Sequence, residues 1–143
     1  MKTEALHQEL HALGEGKTEY KTNYDPTLLE KFPNPQQENQ YDIKIVAPEV
    51  TCLCPKTGQP DFATFEIEYS PSEWCVESKS LKLYLGSYRQ EGIFHEAMVN
   101  KVAKDLFDLL KPVYITVTGK FNARGGISFW PTVTLTTEEE ENV

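Results

Sequence analysis

Apolar residues that recur at every second position constrain the fold of this chain more than any other sequence feature. The alternation is clearest over residues 62–69, and its apolar members are Ala63, Phe65, Ile67 and Tyr69. A period of two predicts a β-strand with one buried face and one solvated face. Weaker alternation predicts three further strands, over residues 41–50 (ending near Pro48), 113–121 and 127–135.

A second apolar pattern, between the second and third predicted strands, repeats at steps of three and four. Its members are Phe94, Met98, Val102, Leu106 and either Leu109 or Leu110. This spacing predicts a helix that ends at Lys111-Pro112, and Leu81, Leu85 and Tyr88 suggest a shorter helix before it. The order of two strands, one or two helices and two strands predicts an α+β fold: an antiparallel sheet with helices on one face. The last two strands form a predicted hairpin around residues 124–126.

The 143 residues fit one domain with flanking segments. Residues 1–40 are polar and proline-punctuated, which predicts an N-terminal extension, and residues 41–137 form the predicted domain. In the extension, Asp25 and Pro26 favour the start of a short helix. Its apolar residues could anchor it to the domain, and these are Tyr24, Leu28, Leu29 and Phe32. Residues 138–143 form a predicted disordered acidic tail.

Composition argues against several classes of protein. The net charge of −8, to which Glu138–Glu141 contribute four negative charges, disfavours direct binding to nucleic acid through the phosphate backbone. No apolar run approaches the ~20 residues of a membrane span, and the first ten residues lack the apolar stretch of a secretory signal. Three cysteines without an export signal predict free thiols rather than a disulfide framework. We therefore expect a cytoplasmic protein without a membrane partner.

The segment between the first two predicted strands carries the most reactive side chains. Cys54 precedes a proline, and Asp61 lies seven residues later, after a turn containing Gly58. A thiol nucleophile and a proton carrier could therefore face each other across one loop. Two simpler interpretations stay open, because lone cysteines are often buried as small apolar residues and a loop aspartate often caps a turn.

Three other groups of residues are ambiguous on sequence grounds. Cys52, Cys54 and His95 could together hold zinc, although a lone CxC pair is weak evidence for a metal site. The segment from Glu77 to Lys82 could bind an anion at a helix start or could be an ordinary solvated helix entry. His95 and Glu96 could serve one ligand near a helix entrance or could be a surface pair.

Four segments in order resemble one family, the NADPH-dependent 7-cyano-7-deazaguanine reductases, which are the nitrile reductases of queuosine biosynthesis. These segments read LCPKTGQPDFAT, VESKSLKLYL, GIFHE and GKFNARGGI. The resemblance covers residues 24–127 and is to the short, single-module form of the family. It implies a tunnelling fold (T-fold), in which the sheets of several subunits join around a barrel. It also implies a homo-oligomer with active sites at subunit interfaces.

The resemblance also implies roles for individual residues. Cys54 would attack the nitrile carbon to form a covalent thioimide, and Asp61 would supply the proton to the nitrile nitrogen. The implied contacts to the deazapurine substrate are Val76, Glu77, Ser78, His95 and Glu96. The implied contacts to NADPH are Ser78, Lys79, Lys82 and Arg124. No metal is implied, and Cys52 or Cys75 could form a protective disulfide with Cys54.

Two rival functions stay open at this point. One is a related enzyme that forms the same thioimide but adds ammonia to a nitrile on transfer RNA. The other is a noncatalytic, zinc-stabilised T-fold protein that binds a pterin or purine through a site containing Cys52, Cys54 and His95. The ESKSLKLYL segment argues against the first of these.

Overall fold

A computed structural model describes residues 18–137 as an antiparallel α+β fold. Six strands and two helices follow in the order β1 (Lys31–Pro33), β2 (Ile43–Leu53), β3 (Pro60–Ser70), β4 (Trp74–Val76), α1 (Ser78–Gly86), α2 (His95–Leu110), β5 (Tyr114–Phe121) and β6 (Thr132–Thr136). The main sheet is antiparallel in the order β2-β3-β5-β6, and β1 pairs with β4 in a separate two-stranded sheet. The predicted α+β class with antiparallel strands is confirmed.

The hydrophobic core lies between the main sheet and helix α2. The alternation in β3 has its predicted consequence, because Phe65 and Ile67 are fully buried while the intervening Glu66 is partly exposed. These side chains pack in one cluster with buried residues of α2 such as Val102 and Leu106. The predicted helix therefore covers the inner face of the sheet, as its apolar stripe requires.

The main differences from the sequence prediction are two strand boundaries and two strands that were not predicted. Strand β2 does not end near Pro48 but continues to Leu53, because the ladder skips Pro48 and Glu49 at a register shift and resumes at Val50. The last strand begins at Thr132 rather than at residue 127, after Pro131, which has no N–H to donate to a ladder. Strands β1 and β4 were not predicted, because three residues are too few to display a period of two.

Residues 18–40 of the predicted extension pack against the domain. Leu29 is buried in the core, and Tyr24 and Leu28 pack against it. The Tyr24 hydroxyl donates a 2.6 Å hydrogen bond to Asp105 of α2. The predicted short helix is a 3₁₀ helix over Pro26–Leu28, with Asp25 as its N-cap. The division into extension, domain and tail stays a prediction, and the predicted acidic tail lies outside the described residues.

Within residues 18–137, no helix is long and apolar enough to span a membrane.

Candidate active site

Cys54 lies directly after β2, in the loop that connects it to β3. The Cys54 amide donates to the Gln59 carbonyl at 2.8 Å, and the Gly58 amide donates to the Cys54 carbonyl at 2.8 Å. Gly58 has a φ of +72°, a conformation that costs glycine little and other residues more. These hydrogen bonds and the glycine close a tight loop that fixes the position of the thiol.

A second segment, residues 91–93, holds the start of helix α2 against this loop. The Leu53 amide donates to the Glu91 carbonyl at 2.9 Å, and the Ile93 amide donates to the Leu53 carbonyl at 3.0 Å. A Cβ at Gly92 would lie 3.4 Å from the Pro55 Cα, at ordinary van der Waals distance, so this segment packs directly against the loop. As a result, the first residues of α2, His95 and Glu96, lie beside Cys54.

Asp61 is the most buried charged group in this region, with 4% of its surface exposed. Its Oδ2 lies 3.1 Å from Nε2 of His95, and its Oδ1 lies 3.1 Å from Nη1 of Arg124. The contact with Arg124 is close enough for an ion pair, but its direction does not make a hydrogen bond, so Oδ1 has no hydrogen-bond donor among the described residues. Asp61 therefore has one oxygen beside an imidazole and the other beside a guanidinium.

His95 is held by aromatic contacts. Its ring stacks on Phe121 at a centroid distance of 3.7 Å and an angle of 4°, and the edge of Phe129 lies at 6.5 Å. Phe121 is the last residue of β5. The stacking fixes the plane of the imidazole, which directs Nε2 towards Asp61.

The two cysteines at this end of β2 have opposite environments. Hydrogen bonds from the Thr57 hydroxyl, from the backbone at Thr57 and Lys56, and from Arg124 lower the pKa of Cys54 to about 7. Burial raises the pKa of Cys52 to about 12, and its thiol points to the Ile93 carbonyl at 3.9 Å. Cys54 is thus poised to ionise near neutral pH, whereas Cys52 is a buried apolar residue.

We predict that the two thiols differ strongly in their reaction with iodoacetamide. Because only the thiolate reacts, alkylation of Cys54 in the folded protein should rise with pH and reach half its maximal rate near pH 7. Cys52 should stay unmodified over the same range. Peptide mass spectrometry after timed alkylation gives both values, and a Cys54 midpoint near the ordinary thiol value of 9.0 would contradict this electrostatic account.

Five of the predicted site residues line a single cavity of about 320 Å³. They are Cys54, Asp61, His95, Glu96 and Arg124. Arg124, which was predicted to bind NADPH together with Lys79 and Lys82, thus lies beside Cys54 and Asp61 rather than beside those lysines. Asp61 does not cap a turn, and Cys54 is only partly buried, so neither of the simpler interpretations describes them.

The other predicted site residues lie around a second cavity of about 690 Å³ between α1 and β2. Val76, Ser78 and Lys82 line it, together with apolar residues of β2. Glu77 caps α1, because its two carboxylate oxygens accept the amides of Ser80 at 2.6 Å and of Lys79 at 3.1 Å. Glu77 is only 4% exposed, whereas Ser78 and Lys82 are exposed, so the buried cap is where this segment departs from the ordinary solvated helix entry considered above.

Lys79 and the third cysteine are also accounted for. The Lys79 ammonium donates to the Thr18 hydroxyl at 2.9 Å. Cys75 is buried, lines the larger cavity and lies 3.9 Å from the Tyr41 hydroxyl, so it does not share the cavity of Cys54. Among residues 18–137, no three His, Cys, Asp or Glu side chains are arranged to hold a metal ion.

Sequence reasoning missed Thr57, Phe121 and Phe129. Thr57 lies inside the loop that was singled out, and its hydroxyl could have been considered as a donor to the thiolate. Phe121 shares the period-two pattern of Val117 and was therefore interpreted as ordinary core. Phe129 stands in a stretch that was predicted to be strand, and no sequence pattern indicates that it contacts His95.

Comparisons with known proteins show similarity to one enzyme family. A family described as QueF-like protein matches residues 60–141. The NADPH-dependent 7-cyano-7-deazaguanine reductase of Streptococcus mutans is 56% identical over 124 residues, which cover 87% of this chain and 76% of that protein. The enzyme of the same name from Parabacteroides distasonis is 56% identical over 123 residues, which cover 86% of this chain and 78% of that protein. The one from Neisseria meningitidis is 54% identical over 124 residues, which cover 87% of this chain and 79% of that protein.

A solved structure supports the fold. The crystal structure of the archaeosine synthase QueF-Like in its apo form matches with a TM-score of 0.58 and 21% identity, covering 66% of this chain and 91% of that one. The chain therefore has the tunnelling fold that the sequence resemblance implied. By its sequence identity to these curated proteins, the chain belongs to the family of NADPH-dependent 7-cyano-7-deazaguanine reductases.

Proposed function

We propose that this protein reduces the nitrile of 7-cyano-7-deazaguanine to the primary amine 7-aminomethyl-7-deazaguanine, with NADPH as reductant, in queuosine biosynthesis. The observation that carries the proposal is the pairing of a thiol with a pKa of about 7 and a buried carboxylate on one cavity. A thiolate is a strong nucleophile towards a nitrile carbon, and the nitrogen that becomes negative needs a positioned acid.

In the covalent step, the sulfur of Cys54 forms a bond to the nitrile carbon. The electron pair of one C–N π bond moves to the nitrogen, and the proton of the Cys54 thiol passes through the Asp61 carboxylate to that nitrogen, so that the product is a neutral thioimide without any change of redox state. Oδ1 of Asp61 suits this transfer because it is buried and accepts no hydrogen bond among the described residues. His95, 3.1 Å from Oδ2, holds the carboxylate in place.

NADPH, when bound, supplies the hydrides for two successive reductions that convert the thioimide to the amine. Ser78 and Lys82, a hydroxyl and a cation that line the cavity of about 690 Å³, would contact its phosphates, and Lys79 on the same helix would add a second cation. Cys54 leaves the substrate as a thiolate, and its low pKa favours this departure.

Recognition of the base involves both groups of residues. Glu96 is exposed at the 320 Å³ cavity, and its carboxylate can accept two parallel N–H donors from a guanine-like edge. Val76, Glu77 and Ser78 form a further contact segment, whose conformation Glu77 maintains by capping α1. His95 closes over the bound base.

We propose that each active site is shared between subunits of a homo-oligomer. Within one chain, the nucleophile and the 76–78 segment line different cavities, so a neighbouring subunit could bring them together. Among the described residues, β2 and β6 are the outer strands of the main sheet, and outer strands are where the sheet of another subunit can pair. Such pairing would extend the sheet into the barrel expected of a T-fold.

Mixing two inactive variants should restore activity if sites are shared. Cys54→Ala removes the nucleophile, and Ser78→Trp fills the rim of the other cavity. In a randomly reassembled mixture, about a quarter of the shared sites would combine the intact halves of both chains. Steady-state reduction after dissociation and reassembly measures this, and a mixture as inactive as its components would contradict shared sites.

The proposed site of action is the cytoplasm, where thiols are kept reduced, because the mechanism needs Cys54 as a free thiolate.

Consumption of NADPH on addition of the free base tests the function directly. We expect two molecules of NADPH to be oxidised for each molecule of amine formed. Absorbance measures the NADPH, and mass spectrometry measures the amine. The related enzyme that adds ammonia to a nitrile on transfer RNA would oxidise no NADPH. The zinc-binding alternative predicts stoichiometric zinc that is lost in Cys54→Ser, and that result by metal analysis would replace the present proposal.

A further inference from the structure

The turn after β5 presents Arg124 in a defined position. The Arg124 amide donates to the Ile127 carbonyl at 3.0 Å, and the Ile127 amide donates back to the Arg124 carbonyl at 3.1 Å. Gly125 and Gly126 have φ values of +60° and +79°, as in the two-residue turns that join twisted strands. The Asn122 amide also donates to the Phe62 carbonyl at 2.8 Å, which fastens the base of the turn to β3.

This turn brings the guanidinium to the covalent half of the site. Nη1 of Arg124 lies 3.1 Å from Oδ1 of Asp61, whose side chain is only 3% exposed, whereas the Arg124 side chain is 38% exposed. Both residues line the 320 Å³ cavity with Cys54. Within one chain, Arg124 therefore contacts the carboxylate of the covalent site, whereas Lys82 lines the other cavity, so a role of Arg124 towards Cys54 and Asp61 needs no neighbouring subunit.

The 320 Å³ cavity brings the Arg124 guanidinium together with several groups that can carry negative charge. Its titratable side chains are Cys54 from the β2–β3 loop, Asp61 from β3, His95 and Glu96 from α2 and Arg124 from the turn. An ionised Cys54 beside an ionised Asp61 would place two negative charges together, which disfavours the thiolate. Arg124 is the group in this cavity whose positive charge is permanent.

We propose that Arg124 is a positioning residue of the covalent step, whose guanidinium holds the Asp61 carboxylate and balances the charge of the Cys54 thiolate, rather than a ligand of NADPH. This inference rests on the proposed nitrile chemistry. It assigns Arg124 to the covalent step, which needs no reductant. An experiment without NADPH therefore separates a role in the covalent step from a role in binding NADPH.

The test is the rate of adduct formation with 7-cyano-7-deazaguanine in the absence of NADPH, followed by intact mass after acid quenching across a range of pH. The variants are Arg124→Gln, Arg124→Lys and the control Lys104→Gln. Lys104 also makes a 3.1 Å ion pair, with Asp108, but it is 73% exposed on α2 and lines no part of this cavity. Thermal unfolding of each variant checks that it is folded.

We expect Arg124→Gln to form the adduct about threefold more slowly than wild type below pH 7, because Arg124 is the smallest of the contacts that lower the pKa of the thiol and its loss reduces the thiolate fraction modestly. The difference should disappear near pH 9, where the thiolate forms without help. Arg124→Lys, which keeps the charge, should retain most of the wild-type rate, and Lys104→Gln should match wild type.

Two results would overturn the inference. Wild-type adduct formation in Arg124→Gln at every pH, with an increased KM for NADPH in steady-state reduction, would make Arg124 a cofactor ligand. A rate lowered equally at all pH values, without rescue by lysine, would reduce Arg124 to a structural role. If wild type itself forms no adduct, the proposed function fails, and this outcome is distinct from both.

Discussion

Cys54→Ala is expected to abolish nitrile reduction, with a loss in kcat on the order of 10³-fold or more, the scale seen when a covalent nucleophile is removed. The physical reason is that no other thiol can replace it. Cys52 is completely buried, and Cys75 lies on the other cavity. The measurement is steady-state oxidation of NADPH with saturating substrate.

The matched control for this prediction is Cys52→Ala, two residues away on the same strand. It removes a sulfur from the core and should cost about 1 kcal/mol in the free energy of unfolding, while leaving the reaction intact. Chemical denaturation and NADPH oxidation measure the two effects. If activity survives in Cys54→Ala and disappears in a folded Cys52→Ala, the nucleophile is Cys52 and the prediction is wrong.

Asp61→Asn is expected to fold and to reduce substrate about 10²- to 10⁴-fold more slowly, the usual contribution of a positioned general acid. Asparagine keeps the shape of the side chain and can still accept from His95, but it cannot deliver a proton to the nitrile nitrogen. Stopped-flow measurement of adduct formation should show the same loss, because the proton is needed in the covalent step.

A surface carboxylate gives the control for this variant. Asp108→Asn, on the exposed side of α2, removes an aspartate whose ion pairs among the described residues are with Lys104 at 3.1 Å and Lys111 at 3.9 Å. It should change activity by less than about twofold, since exposed ion pairs contribute little. An Asp61→Asn enzyme as active as this control would exclude Asp61 from the proton transfer.

How far the fold could be predicted depended on the length of each pattern. Eight alternating residues in β3 and the long stripe in α2 are enough for burial to determine structure, and both predictions were confirmed. Short or interrupted patterns failed: β1 and β4 have three residues each, and the strand through Pro48 recovers its register only after a bulge. Those features depend on which partner strand is available, which local sequence does not encode.

The candidate site shows a similar division. Cys54 and Asp61 are seven residues apart, and the loop between them contains the Gly and Pro residues that allow both to reach one cavity. Their neighbours come from far along the chain: Phe121 stacks on His95, and Arg124 pairs with Asp61 across more than sixty residues of sequence. The packing of α2 on β5 brings His95 to Phe121, and the pairing of β5 with β3 brings Arg124 to Asp61, so local sequence patterns do not indicate these contacts.

The most direct test of the central claim is the intact mass of the protein after incubation with 7-cyano-7-deazaguanine and no NADPH. The account predicts that wild type gains the full mass of one substrate molecule per chain, that the added mass maps to Cys54, and that Cys54→Ala gains nothing. An unmodified wild-type protein, under conditions in which the same sample oxidises NADPH with this substrate, would contradict the covalent mechanism.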